Sequence, residues 1–232
     1  MLEVSERDGI AVLTLNRPPV NALDLPMIEA LTEAARASVD ARAVLLTGTG
    51  KAFSAGVDTR AFENYDAATR GEMIEAITAM GAALLAIPVP VLAAINGHAL
   101  GGGLVLPLCA DYRLACEDDG IRFGLTEARA GIPFPAGPLE IMARELPPAL
   151  CRHLTLSSAI ITPAEAAAHN VIDELCAGDE LVERALARAA EIAAQPAFAI
   201  VKQQIRGPLI AAVRALAERR DDPLAAMMRN SA

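Results

Sequence analysis

The sequence is poor in aromatic residues: Phe, Trp and Tyr make up 3% of its 232 residues, and Trp is absent. A core must then be built from Ala, Leu, Ile and Val. Apolar residues reach 53%, enough for a sizeable one. Much of that excess is Ala, which suits helices that pack closely or face neighbouring subunits. A basic excess is also missing. The formal net charge is −9, the opposite of a nucleic-acid binder's footprint. The histidines His98, His153 and His169 lie far apart, without zinc-site spacing, so no metal is expected. None of Cys109, Cys116, Cys151 and Cys176 forms a C-x-x-C pair, and buried free thiols are expected. The first residues lack the basic and apolar regions of a signal peptide. The most apolar window, Ala82 to Ile95, is broken by Pro88 and Pro90 and is too short to span a bilayer. The expectation is a cytoplasmic, soluble protein with neither nucleic-acid nor membrane partners.

What is present is an alternation of strand and helix. Residues 10–15 read as a strand that ends at Asn16-Arg17-Pro18-Pro19. Asp24 and Pro26 open a helix that runs to about Val39. Residues 43–47 form a continuous apolar run, the pattern of a strand buried on both faces. A long helix over 67–86 and a strand over 89–95 follow, then a short apolar helix after Gly101-Gly102-Gly103. Residues 111–115, 121–123 and 171–175 are shorter strand candidates. Beyond Asp179 the pattern is helical, with breaks expected at Pro196, Gly207-Pro208 and Pro223. This order predicts an α/β layered fold with parallel pairing and a helical last third.

Three segments could carry chemistry. Lys51 to Asp58 and Asn96 to Gly103 are Gly-rich, and each follows a buried strand, where α/β sheets gather ligands. Such loops expose backbone N–H groups and could form an oxyanion hole, or their glycines could serve only tight turns and close packing. The Gly triplet is no phosphate loop, because neither Lys nor Ser/Thr follows it in P-loop spacing. The third segment, 123–133, contains Glu127. Apolar neighbours would raise its pKa toward neutrality and suit it to acid/base work. The alternative is a surface pair between Glu127 and Arg129.

Taken together, these segments resemble the enoyl-CoA hydratase/isomerase family, the crotonases. The resemblance runs through Asn16-Arg17-Pro18, Asn21-Ala22-Leu23-Asp24, Phe53-Ser54-Ala55-Gly56-Val57-Asp58 and Asn96 to Gly103. It continues through Asp111-Tyr112-Arg113, Thr162-Pro163-Ala164-Glu165-Ala166 and Val171-Ile172-Asp173. Each motif alone is soft; their shared order covers nearly the whole chain. The resemblance implies a spiral of ββα units over residues 1–175, holding the catalytic and CoA sites, and a helical region over 176–232 that forms homotrimers or dimers of trimers. It implies that the Val57 and Gly102 N–H groups form the oxyanion hole. It also implies that Ala55, Val57, Asp58, Thr59, Arg60 and Gly102 meet an acyl-CoA, with coenzyme A as part of the substrate and no separate cofactor. Asp58 should cap the next helix.

Departures from the family pattern narrow the chemistry. Hydratases carry two glutamates; one matches Glu127, but the other falls on Val105. Without its partner, a single carboxylate activates water poorly, yet it can move a proton between carbons. Gly124-Leu125-Thr126-Glu127 looks like the Δ3,Δ2-enoyl-CoA isomerases, and Val105 would keep the site dry. The competing expectations are another crotonase reaction, such as hydration or thioester hydrolysis, and a non-catalytic acyl-CoA-binding role. Pro107 should kink or shorten its helix, the Pro133–Pro138 segment should wall the acyl pocket, and the segment ending at Ala232 should be shorter than the family's last helix. His98 is read as mainly structural, Cys109 as core, and Asn170 as left-handed.

Overall fold

The computed structural model of the chain describes residues 1–230. After β1 (Leu2–Arg7), β2 (Ile10–Leu15) leads to α1 (Leu25–Ala37). Three ββα turns follow. In the first, β3 (Ala43–Gly48) and β4 (Ala52–Ser54) precede α2 (Thr59–Asn64) and α3 (Ala67–Leu85). In the second, β5 (Val91–Ile95) and β6 (His98–Leu100) precede α4 (Gly102–Leu108). In the third, β7 (Tyr112–Cys116) and β8 (Phe123–Gly124) precede α5 (Glu127–Ala130), α6 (Ala136–Glu145) and α7 (Pro148–Leu156). The chain closes with β9 (Ile160–Ile161), α8 (Pro163–Ala168), β10 (Glu174–Cys176), α9 (Leu181–Ala193), α10 (Phe198–Arg219) and α11 (Pro223–Asn230).

The first strand of each turn joins one sheet, in the order β1-β2-β3-β5-β7-β10, and the second joins another, in the order β4-β6-β8-β9. All pairs are parallel except β1 with β2 and β8 with β9. Successive turns therefore stack. The central strands β3 and β5 are almost wholly buried, because helices cover a parallel sheet on both faces. Asparagines hold the turns between the two sheets. Asn96 accepts from Gly48 N–H at 3.1 Å and donates to Gly50 C=O at 3.0 Å. Buried Asn21 donates to Thr49 and Ala52 carbonyls at 3.0 and 2.8 Å, and accepts from Arg17 N–H. Each side chain satisfies backbone groups that the sharp corner leaves unpaired.

Several expectations need correction. The two Gly-rich segments are not loops throughout, since they contain β4 and β6. The last parallel strand lies at Glu174–Cys176, and Val171 and Ile172 are buried without strand pairing. Residue 175 lies within β10, and α9 and α10 contribute Leu186, Ile210 and Val213 to the same core as the sheets. α10 also continues through Gly207-Pro208. Gly207 lacks the Cβ that would press on the proline ring, and burial of Gly207, Leu209 and Ile210 holds the helical path.

One polar cluster crosses the apolar interior. Lys202 and Arg206 of α10 donate to Asp111 at 2.6 and 2.9 Å, and Arg206 reaches Glu145 at 2.8 Å. Arg113 pairs with the same Glu145. The two guanidiniums also donate to the Pro107, Leu108, Cys109 and Ala110 carbonyls, at 2.9–3.3 Å. They supply donors at the C-terminal end of α4, where carbonyls run short of helical partners.

Candidate active site

Each sheet-to-helix junction presents one part of the site. Ser54 ends β4, and its buried hydroxyl donates to Asn21 C=O and accepts from Gly56 N–H, at 2.8 and 3.1 Å. Leu23 bridges Val57: Leu23 N–H donates to Gly56 C=O, and Asp58 N–H donates to Leu23 C=O, both at 2.8 Å. Carbonyl and amide point oppositely in a trans peptide, so the Val57 N–H is directed away from Leu23. The same reasoning applies at the second loop. Gly101 C=O accepts from Leu104 N–H at 2.8 Å inside α4, so the Gly102 N–H points out of the helix start.

The loops are close enough that only glycine fits. A methyl group on Gly103 would lie 2.1 Å from the Ser54 carbonyl oxygen. One on Gly56, where φ is +80°, would lie 2.9 Å from Gly102 N. Glu127 comes from the third turn, at the start of α5. A methyl group on Gly101 would lie 3.0 Å from its Oε1. The carboxylate therefore sits above the Gly triplet, in one cavity with Val57 and Gly102.

That cavity has an empty volume of about 1070 Å³, including its open mouth. Leu23, Ala55, Thr59 and Phe62 line one side, and Val105 and Leu106 another. Pro133, Phe134, Pro135 and Pro138 form the expected proline wall. Among the described residues, Glu127 is the cavity's sole carboxylate, and its buried Oε2 meets no hydrogen-bond donor. Burial pushes its pKa up from 4.5 to about 7. The alternative pairing with Arg129 does not occur: Arg129 donates to Ser158 C=O at 2.6 Å.

The expected site residues divide. Ala55, Val57, Thr59, Gly102 and Glu127 line the cavity. Asp58 and Arg60 do not. Asp58 caps α2 through Ala61 N–H at 3.0 Å, and its carboxyl pairs with Arg17 at 2.7 Å. The Ala61 N–H, then Arg17, hold that carboxyl below the usual range. Arg60 is exposed. His98 accepts from Arg122 N–H and stands outside the cavity. Cys109 is core, as expected, but also lines the cavity; burial pushes its thiol up to about 12, leaving it neutral. Arg17, which pairs with both Asp24 and Asp58, figured in the sequence only as part of the Asn16-Arg17-Pro18 motif, without a role of its own.

A sequence profile described as enoyl-CoA hydratase/isomerase matches residues 5–223. The chain belongs to the enoyl-CoA hydratase/isomerase family. Probable enoyl-CoA hydratase EchA17 of Mycobacterium tuberculosis is 35% identical over 205 residues, covering 84% of this chain and 76% of that protein. A (7aS)-7a-methyl-1,5-dioxo-2,3,5,6,7,7a-hexahydro-1H-indene-carboxyl-CoA hydrolase of the same organism is 35% identical over 194 residues, covering 81% of this chain and 75% of that one. Among solved structures, an M. tuberculosis enoyl-CoA isomerase superposes with a TM-score of 0.85 at 29% identity, covering 94% of this chain and 96% of that one. The two stacked sheets, Gly-rich junctions and C-terminal helices are thus those of the crotonase fold. Hydration, isomerisation and hydrolysis all appear among the names of these family members, so the reaction must be argued from the site.

Proposed function

We propose that this family member shifts the double bond of an enoyl-CoA from Δ3 to Δ2, with Glu127 as its single acid/base group. The observation that carries the reading is the isolation of that carboxylate. Val105 occupies the position of a hydratase's second glutamate, and Glu127 stands alone among apolar walls. With a pKa near 7, Glu127 is substantially ionised at neutral pH and still basic enough to take a carbon-bound proton.

The thioester carbonyl oxygen lies between the Val57 and Gly102 N–H groups. Glu127 removes a proton from C2, and the C–H electron pair delocalises onto the adjacent thioester oxygen and, through the C3–C4 double bond, onto C4. The two N–H groups stabilise that charge; removing one such donor typically costs ~10²–10³ in rate. Protonated Glu127 then returns the proton at C4, leaving the double bond between C2 and C3. Val105 helps to keep water from the dienolate. Ala55, Thr59 and the exposed Arg60 mark the CoA side of the entrance. Assembly as a homotrimer or a dimer of trimers is carried by the family likeness alone, and the cytoplasmic placement by the sequence expectation alone.

The test compares trans-3-enoyl-CoA with trans-2-enoyl-CoA in coupled assays of the purified protein. Conversion of the first with negligible hydration of the second is the expected result. Rapid hydration would refute the single-carboxylate mechanism. CoA binding without either reaction would favour hydrolysis or a non-catalytic acyl-CoA-binding role.

A further inference from the structure

The site described so far leaves the acyl group unspecified, and the walls of the cavity define its length. On α4 the lining residues are Gly102, Val105, Leu106 and Cys109, one stripe of a helix. The seven-residue step from Gly102 to Cys109 spans ~10 Å at the helical rise of ~1.5 Å per residue. Across the cavity, α3 lines it from Ile74 to Gly81, a step of the same length. Ile74 shares a small apolar cluster with Leu224 and Ala225, against which the half-buried Phe62 packs. Gly81 packs against Ile141 of α6, and a methyl group on Gly81 would lie 2.9 Å from Ile141 Cδ1. α6 packs on both α3 and α4, and its Ile141 meets Gly81, which makes the Gly81–Ile141 contact, with Cys109 at the last position of the other lining stripe, the candidate far end of the slot.

An extended chain advances ~1.2 Å per bond, since three backbone bonds span ~3.3–3.6 Å, so a slot of ~10 Å holds about eight bonds. Past Glu127 the lining is almost wholly apolar and carries no charged side chain, so a carboxylate on the acyl chain would be buried without a charged partner. We propose that the site takes an apolar, unsubstituted acyl thioester of about eight to ten carbons, whose far end stops against Gly81, Cys109 and Ile141. This inference rests on the acyl-CoA reading of the site.

Saturated acyl-CoAs do not isomerise, so their binding tests the slot separately from the reaction. Calorimetric titration of the full chain should run from butanoyl- to hexadecanoyl-CoA. Affinity should rise about fourfold per methylene, on the order of 10²-fold from butanoyl to octanoyl, and stop rising near decanoyl. Gly81→Ile should lower the octanoyl-to-butanoyl affinity ratio at least ~10-fold, because it fills the slot's end. Ile141→Ala should move the break toward longer chains, and it keeps the test open should Gly81→Ile fail to fold. A flat profile, a rise continuing to hexadecanoyl, or a break unmoved by Ile141→Ala would overturn the proposal. Binding of no acyl-CoA at any length would overturn it together with the acyl-CoA reading.

Discussion

Replacing Glu127 with Gln should make the protein more stable, and by an amount that depends on pH. The carboxyl's pKa rises from 4.5 to about 7 on folding, because burial penalises the charged form. Sign follows from proton binding. Below pH 4.5 the group is protonated in both states and contributes nothing to the difference. Between 4.5 and about 7 the folded state binds more protons than the unfolded state, so wild-type stability falls as pH rises. Above that window the full penalty is present. A rise from 4.5 to about 7, at ~1.36 kcal/mol for each pKa step, amounts to roughly 3 kcal/mol. A neutral Gln cannot pay this penalty, so the difference in urea-denaturation free energy, variant minus wild type, should grow from pH 4.5 and level off above about 7. In thermal melts the same difference is ~6–12 °C for a chain of this size. Gln also adds a constant offset, since its amide enters the same apolar walls, so the slope with pH is the informative quantity. A difference that stays flat from pH 4.5 to 8.5 would show that Glu127 is not desolvated and would refute the argument.

Other outcomes follow from the same geometry. kcat/KM for the 3-enoyl substrate should rise with pH through about 7 and then level, because the base must lose its proton; a profile already flat at pH 5 would exclude Glu127 as that base. Glu127→Gln should lower kcat by ~10²–10⁴ while acyl-CoA binding survives, measured by steady-state kinetics and calorimetry. Val105→Glu, which puts a carboxylate on the α4 face of the cavity, should raise hydration of trans-2-enoyl-CoA relative to isomerisation, read in the paired assays. Gly103→Ala should lose at least ~1–3 kcal/mol in urea denaturation, because its methyl group meets the Ser54 carbonyl at 2.1 Å. Arg206→Met should cost ~3–5 kcal/mol, toward the lower end because Lys202 and Arg113 remain on the same carboxylates, as checked by urea denaturation.

The parts of this fold that were legible in the sequence are those with strong local signals. The apolar run at 43–47, buried throughout, announced a central strand, Asp24 and Pro26 announced a helix start, and Asn170 takes the left-handed conformation expected of it. Glu127 stood out because a carboxylate among apolar residues is uncommon. The second sheet was hidden. Its strands have two or three residues each, too few to show an alternation, and they pair only once successive turns stack. β1 escaped notice because all but its first residue are exposed, so no burial pattern marks it. The continuation of α10 past Pro208 rests on packing that local propensity does not report. The clamp on α4 joins residues ninety-odd positions apart, a distance at which spacing carries no information.

That clamp also orders events during synthesis. Arg206 follows Cys109, whose carbonyl it completes, by 97 residues. At ~5–20 residues per second, a ribosome needs about 5–20 s to cover that stretch. Once residue 127 has been made, the nascent chain holds Val57, Gly102 and Glu127, yet the end of the helix that presents Gly102 lacks its Arg206 contacts until α10 is made. The end of α4 is therefore completed late in translation, with the docking of α10. A ribosome stalled between residues 127 and 206 would carry a chain that holds every one of these three residues, with the end of the helix that begins at Gly102 still lacking its Arg206 contacts.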